Sequence, residues 1–160
     1  MRAAVLVIST SKAAGHGTDE SGPALERWVE ELGLDLAGTE VIPDDPDLIA
    51  SRLRHWADEE RCELIVTTGG TGLAPSDRTP EATAATIDRP VPGIAEAVRA
   101  ASREHTPNWM LSRGIAGTRG GSLIVNFPGS PRAISETAAA LAPAIAHGLA
   151  LLRGEPSPHA

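Results

Sequence analysis

The chain has 160 residues, a length that predicts one domain with at most a short tail. Hydrophobic residues make up 41% and charged residues 22%, so a soluble core can form and wholesale disorder is excluded. Basic side chains number 14 against 21 acidic ones, a net charge of -7 with no basic run, which argues against nucleic acid and anionic membranes as partners.

Ala3 to Ile8 is a continuous apolar run that predicts a strand buried on both faces and ending at Ser9-Thr10-Ser11. A polar loop is expected from Lys12 to Gly22. Leu25, Trp28, Val29 and Leu32 then recur at helical spacing, with Ser21 as cap, Pro23 in the first turn and Gly33 as stop. Thr39 to Ile42 predicts a second strand, turned by Pro43-Asp44-Asp45-Pro46. Ile49, Leu53 and Trp56 mark one face of the next helix, for which Asp45 is the N-cap. Leu64 to Thr67 predicts a third strand that runs into Thr68-Gly69-Gly70-Thr71-Gly72.

Thr79 as cap and Pro80 at the first helical position start another helix. A helix from about residue 93 to about residue 104 places Ile94, Val98 and Ala101 on one side. Ser122 to Phe127 predicts the last buried strand, followed by Pro128-Gly129-Ser130-Pro131. Ile134, Ala138, Leu141, Ile145, Leu149 and Leu152 stripe a final helix. Residues 155–160 read as a frayed tail, leaving 1–154 as the domain. Buried strands alternating with amphipathic helices predict a three-layer α/β/α sandwich with a mainly parallel sheet in a single domain.

In such sheets ligands bind beyond the carboxyl ends of the strands. Three of these ends carry unusual chemistry: the hydroxyls Ser9, Thr10 and Ser11, the pair Asp44 and Asp45, and the loop Gly69-Gly70-Thr71-Gly72 with Asp77 beyond it. The loop lacks the Gly-Lys-Ser/Thr ending of a Walker A motif. By itself it reads equally as a strand-to-helix turn or as an anion nest of backbone N–H groups. Asp77 reads as a helix-start carboxylate, whereas Asp44 sits one position too early to be the cap. Two carboxylates at neighbouring strand ends suit Mg²⁺ held together with phosphate oxygens. Ser112-Arg113 joins a hydroxyl to a guanidinium that reads either as an anion grip or as a surface arginine.

Other chemistries find little support. Aromatics are only 2%, so no stacking platform for single-stranded nucleic acid is expected. Cys62 is the only cysteine, and His16, His55, His105, His147 and His159 lack zinc-ligand spacing. The first apolar run is too short for a signal peptide, and no apolar run approaches the roughly 20 residues of a membrane span. A cytoplasmic location is the expectation.

Thr68-Gly69-Gly70-Thr71-Gly72, then Asp77, then Thr79-Pro80-Glu81-Ala82 resembles the molybdopterin adenylyltransferase family, of the MogA/MoaB type related to the gephyrin G domain. Asp19, Ser21-Gly22-Pro23, Val41-Ile42-Pro43-Asp44-Asp45, Pro92-Gly93, Leu111-Ser112-Arg113 and Asn126 to Pro131 are similar in order and spacing, so the likeness runs from about residue 3 to about residue 153. It implies transfer of AMP from ATP to molybdopterin with Mg²⁺ and release of pyrophosphate, in molybdenum cofactor synthesis. It also implies a homotrimer, in some members a hexamer, and a molybdenum-insertase partner.

Carried over by position, Asp44 and Asp77 become the catalytic and metal-binding aspartates. Ser9, Thr10, Gly69, Gly70, Thr71 and Gly72 become the nucleotide-phosphate site, and Ser112, Arg113, Pro128, Gly129 and Ser130 the pterin site. Many relatives have Ser-Asp where this chain has Ser9-Thr10, and Thr10 offers only hydrogen bonds there. Joining two phosphates in an acidic protein requires Mg²⁺ and directed N–H donors, which gives Asp44 and Asp77 a positioning task rather than proton transfer. The competing class is a pterin-binding scaffold of the same fold with weak or no transferase activity.

Overall fold

The computed structural model describes residues 1–155. The expected tail therefore falls, but for Glu155, outside the described residues. In chain order the elements are β1 (Arg2–Ile8), α1 (Thr10–Ala13), α2 (Ser21–Glu31), β2 (Asp35–Ile42), α3 (Pro46–Arg54), β3 (Leu64–Thr68) and α4 (Thr79–Ala84). Then follow β4 (Arg89–Pro90), α5 (Pro92–Ser102), β5 (Ala116–Arg119), β6 (Ser122–Phe127) and α6 (Pro131–Leu152). A π-helical turn, His55–Glu59, prolongs α3, and a 3₁₀ turn, Pro107–Leu111, follows α5.

The strands form one sheet in the order β2-β1-β3-β6-β5-β4. β2, β1, β3 and β6 are parallel, while β5 runs antiparallel to both neighbours, so the sheet is mainly parallel as expected. Period-two alternation distributes β1 between two cores. Ala3, Val5 and Val7 pack with Leu25 and Trp28 of α2, Val98 of α5 and the α6 stripe. Ala4, Leu6 and Ile8 pack with Ile49 and Leu53 of α3 and Ala82 of α4 on the opposite face. This is the three-layer sandwich, with α2, α5 and α6 on one side and α3 and α4 on the other.

α6 is long and apolar enough to cross a membrane by length and composition alone. The run-length expectation missed this because it counted only unbroken apolar residues. Ile134, Leu141, Ile145 and Leu149 are nevertheless buried against the sheet, which makes α6 a core helix of the domain.

Several local expectations need correction. β2 begins four residues before Thr39, and part of the expected loop after β1 is the short helix α1, capped by the Ser9 side chain. Ser21 does not cap α2; the Asp19 carboxylate accepts from the N–H groups of Ser21 and Gly22 instead, at 3.0 and 3.1 Å. Thr79 does not cap α4 either, because its hydroxyl donates to the Gly69 carbonyl at 2.9 Å. Asp45 does cap α3, accepting from the N–H groups of Asp47 and Leu48.

Candidate active site

The chain leaves β1 for β2 on one side and later enters β3 on the other, so the carboxyl ends of β1 and β3 flank a topological switch point. Ser9 and Thr10 follow β1, Asp44 follows β2, Gly69 to Gly72 follow β3 and Pro128 to Ser130 follow β6. Parallel strands deliver all four turns to one rim.

Gly69 and Gly70 have φ of 94° and 65°, the left-handed region that favours glycine. A side chain on Gly69 would collide with the Ile8 carbonyl at the end of β1, and one on Gly70 with the Thr79 hydroxyl. The same absent Cβ of Gly70 would lie 3.2 Å from Asp44 Oδ1, and that of Gly72 2.8 Å from Asp77 Oδ2. Both carboxylates therefore adjoin the glycine loop. The N–H groups of Gly70, Thr71 and Gly72 donate to no acceptor among the described residues. Successive unpaired amides on a left-handed turn have the character of an anion nest.

Asp44 is fixed by Thr10, whose N–H and hydroxyl both donate to Oδ2, at 3.0 and 2.9 Å. Asp44 N–H in turn donates to Thr10 Oγ1 at 3.0 Å. Asp77 Oδ2 accepts from Ala74 N–H at 3.0 Å, closing the far end of the loop. The Oδ1 atoms of both aspartates have no donor among the described residues.

That donor set bears on metal binding. No group of three or more His, Cys, Asp or Glu side chains gathers among the described residues. Two half-buried carboxylates, each with one free oxygen beside amide donors, fit Mg²⁺ arriving with phosphate, since that ion is commonly held by one or two carboxylates plus substrate oxygens.

Arg113 proves to be a clamp. Its N–H donates to the Thr71 carbonyl at 2.8 Å, Nε to the Gly72 carbonyl at 2.8 Å and Nη2 to the Asp77 carbonyl at 2.7 Å. Nη1 pairs with Glu81 of α4, whose carboxyl is held below its ordinary range chiefly by that hydrogen bond. All three guanidinium nitrogens thus face protein acceptors, which sets Arg113 apart from the other residues expected at the pterin site.

Those others converge. Ser112, Pro128, Gly129 and Ser130 line one pocket of about 220 Å³, together with Asn108 and Trp109 of the 3₁₀ turn. It adjoins the glycine loop, since a Cβ on Gly129 would stand 3.5 Å from Gly69 Cα. The Thr68 hydroxyl donates to the Pro128 carbonyl and the Ser21 hydroxyl to the Gly129 carbonyl, each at 2.8 Å, so β3 and α2 together fix this wall. A larger cavity of about 610 Å³ lies beyond Arg113, between α4, α5 and β5, away from both aspartates.

Two residues of this region escaped the sequence reading. Lys12, the single lysine, stands on the rim with Nζ 3.5 Å from Asp19 Oδ1. Trp109 lay in a segment without apolar periodicity, and its signal was the rarity of aromatic residues in the chain.

A family profile described as "Probable molybdopterin binding domain" matches residues 4–147. Among curated relatives, the molybdopterin adenylyltransferase of Helicobacter pylori strain J99 is 41% identical over 152 residues, covering 92% of this chain and 86% of that protein. A molybdenum cofactor biosynthesis bifunctional protein of Synechococcus elongatus is also 41% identical, across 95% of this chain, which spans only 47% of that longer protein. The crystal structure of the molybdopterin biosynthesis enzyme MoaB from Thermus thermophilus superposes with a TM-score of 0.90 at 44% identity, covering 97% of this chain and 98% of that one. A match of this extent in sequence and in backbone leaves one assignment: the chain belongs to the molybdopterin-binding domain family.

Proposed function

We propose that the chain is a molybdopterin adenylyltransferase of molybdenum cofactor biosynthesis, moving AMP from ATP to the terminal phosphate of molybdopterin. The observation that carries this reading is the pairing of three unpaired amides, Gly70 to Gly72, with the free Oδ1 of Asp44 at one rim. The relative named a molybdopterin adenylyltransferase supports the same activity, and the bifunctional relative supports a place in molybdenum cofactor biosynthesis.

In the reaction, a phosphate oxygen of molybdopterin attacks the α-phosphorus of ATP. A new P–O bond forms, the bond from the α-phosphorus to the bridging oxygen breaks, and pyrophosphate leaves with the electron pair. The chain's contribution is positioning and charge compensation rather than covalent chemistry. The amides of Gly70, Thr71 and Gly72 hold nucleotide phosphate. Thr10 points Asp44 Oδ1 at the loop, and Arg113 fixes the backbone that carries Asp77. Ser9, the cap of α1, borders the same phosphate region. Asp44 and Asp77 would hold Mg²⁺, which would supply neutralisation of phosphate charge. Ser112, Pro128, Gly129 and Ser130 form the pterin pocket, within reach of the loop through Gly129.

Homotrimeric assembly in the cytoplasm, with hand-over of product to a molybdenum-insertase partner, belongs to the same reading; the bifunctional relative, about twice as long, carries a second function of molybdenum cofactor biosynthesis on one chain. The test is anaerobic incubation with ATP, Mg²⁺ and molybdopterin, followed by detection of pyrophosphate and adenylylated pterin. Both should accumulate together. Tight pterin binding without pyrophosphate would make the chain a scaffold and overturn the enzymatic reading.

A further inference from the structure

We infer that Trp109 forms a stacking wall of the small pocket and supplies much of its affinity for a planar fused heterocycle. The inference rests on the reading that this pocket takes the pterin. The chain has four aromatic residues, three Trp and one Phe, and their placement is uneven. Trp28 and Phe127 pack edge-on in one core, with ring centroids 5.1 Å apart. Trp56 is buried in the other core, against Gly38. Trp109 alone belongs to neither core; it is half-buried in the 3₁₀ turn and lines the pocket beside Asn108, Ser112 and Ser130.

Its orientation is held from outside. The Arg103 guanidinium carbon sits 5.9 Å from the ring centroid, over the indole face. Arg103 is not among the residues that line the pocket, so this cation braces the ring without standing in the cavity that Trp109 borders. At about 220 Å³ the pocket falls short of the roughly 300 Å³ and upward usual for drug-sized ligands, a scale that suits one fused ring system rather than a whole nucleotide. An aromatic side chain among a few hydroxyl and amide groups, with Arg99 engaged on the Ser112 and Gly114 carbonyls, is the chemistry that recognises a polar heterocycle: stacking gives affinity, and Asn108, Ser112 and Ser130 offer polar groups to its edge.

The experiment measures molybdopterin binding under anaerobic conditions, by ultrafiltration and by tryptophan emission, in the wild type, Trp109→Phe and Trp109→Ala. Mg-ATP affinity and the thermal midpoint serve as controls for the glycine loop and the fold. Wild-type emission should be quenched as the pocket fills, and most of that quenching should vanish in Trp109→Phe, which keeps an aromatic wall and affinity within about threefold. Trp109→Ala should bind roughly tenfold more weakly or worse, the usual scale for removing one stacking partner, with ATP affinity unchanged. Wild-type affinity in Trp109→Ala overturns the inference alone, and so does a change confined to oligomeric state. Failure of the wild type to bind molybdopterin overturns the functional reading along with it.

Discussion

Thr10 and Asp44 hold each other across the gap between the ends of β1 and β2, through two hydrogen bonds to Asp44 Oδ2 and a third from Asp44 N–H to the Thr10 hydroxyl. Thr10 thus serves as the group that orients the Asp44 carboxylate. Hydrogen bonds to Oδ2 fix the carboxylate plane and leave Oδ1 toward Gly70. Replacing Thr10 by Val removes the hydroxyl and leaves the fold. Turnover should fall by about tenfold, the scale of one charge-assisted hydrogen bond, while Thr10→Ser stays near wild type. Steady-state kinetics of pyrophosphate release checks this; equal rates for Val and wild type would remove the positioning role.

Arg113 gives a separate prediction, because a clamp and a pterin contact fail differently. Arg113→Lys keeps the charge but loses the planar fork that reaches the Gly72 and Asp77 carbonyls together. The fall should therefore appear in kcat, with KM for molybdopterin little changed. Lost hydrogen bonds of this kind cost about 1–3 kcal/mol, a drop of roughly 2–12 °C in Tm for a chain of this size. A raised KM with kcat and Tm intact would instead make Arg113 a direct ligand of the pterin.

The partner of that clamp sets a pH dependence. Arg113 holds the Glu81 carboxyl below its ordinary value of 4.5, chiefly by hydrogen bonding. A depressed carboxyl contributes stability that is complete above the unfolded value and is lost as pH falls through the lower folded one. Glu81→Gln should thus be less stable than wild type near neutrality, by a small margin because the pair is partly exposed. The gap should close as pH falls from about 5 to about 3. Thermal unfolding across that range reads it, and a gap that widens on acidification would contradict the assignment.

Much of this was legible beforehand. The unbroken apolar run from Ala3 to Ile8 and the α6 stripe from Ile134 to Leu149 point to the layers, because a strand covered on both faces is apolar throughout and a helix covered on one is apolar at a period of 3.6. Asp44 was separable from the cap Asp45 by one position, and the structure keeps them apart in just that way. β4 and β5 were missed. β4 is two exposed residues, and β5 carries only Ala116, Gly117 and Thr118 inside, too little apolar pattern to register. The signal that remained was Gly120-Gly121 between β5 and β6, a two-residue hairpin link. Ser21 and Thr79 mislead because cap-type residues near a helix start ordinarily serve their own helix. Both hydroxyls instead donate to glycine carbonyls distant in sequence, which local pattern cannot reveal.

Asn126 is the interior tie of the site. Its Nδ2 donates to the hydroxyls of Thr67 and Thr83, each at 3.0 Å, and its Oδ1 accepts from Ile115 N–H at 3.2 Å, in a nearly solvent-free position. Asn126→Leu has a similar volume but strands three polar partners, at a cost of about 2–4 kcal/mol. Urea unfolding should show a lowered midpoint at unchanged m-value; a midpoint equal to wild type would mean that the partners re-pair at no cost.

The rim of Asp44, Gly70, Gly72 and Asp77 stands or falls on where nucleotide phosphate sits. A crystal structure of the chain soaked with Mg²⁺ and ATP tests it most directly. The account places a phosphate within hydrogen-bond reach of the Gly70, Thr71 and Gly72 amides, with Mg²⁺ on at least one of the two aspartates. Nucleotide seated in the cavity of about 610 Å³ beyond Arg113, with the glycine-loop amides left to water, would contradict it.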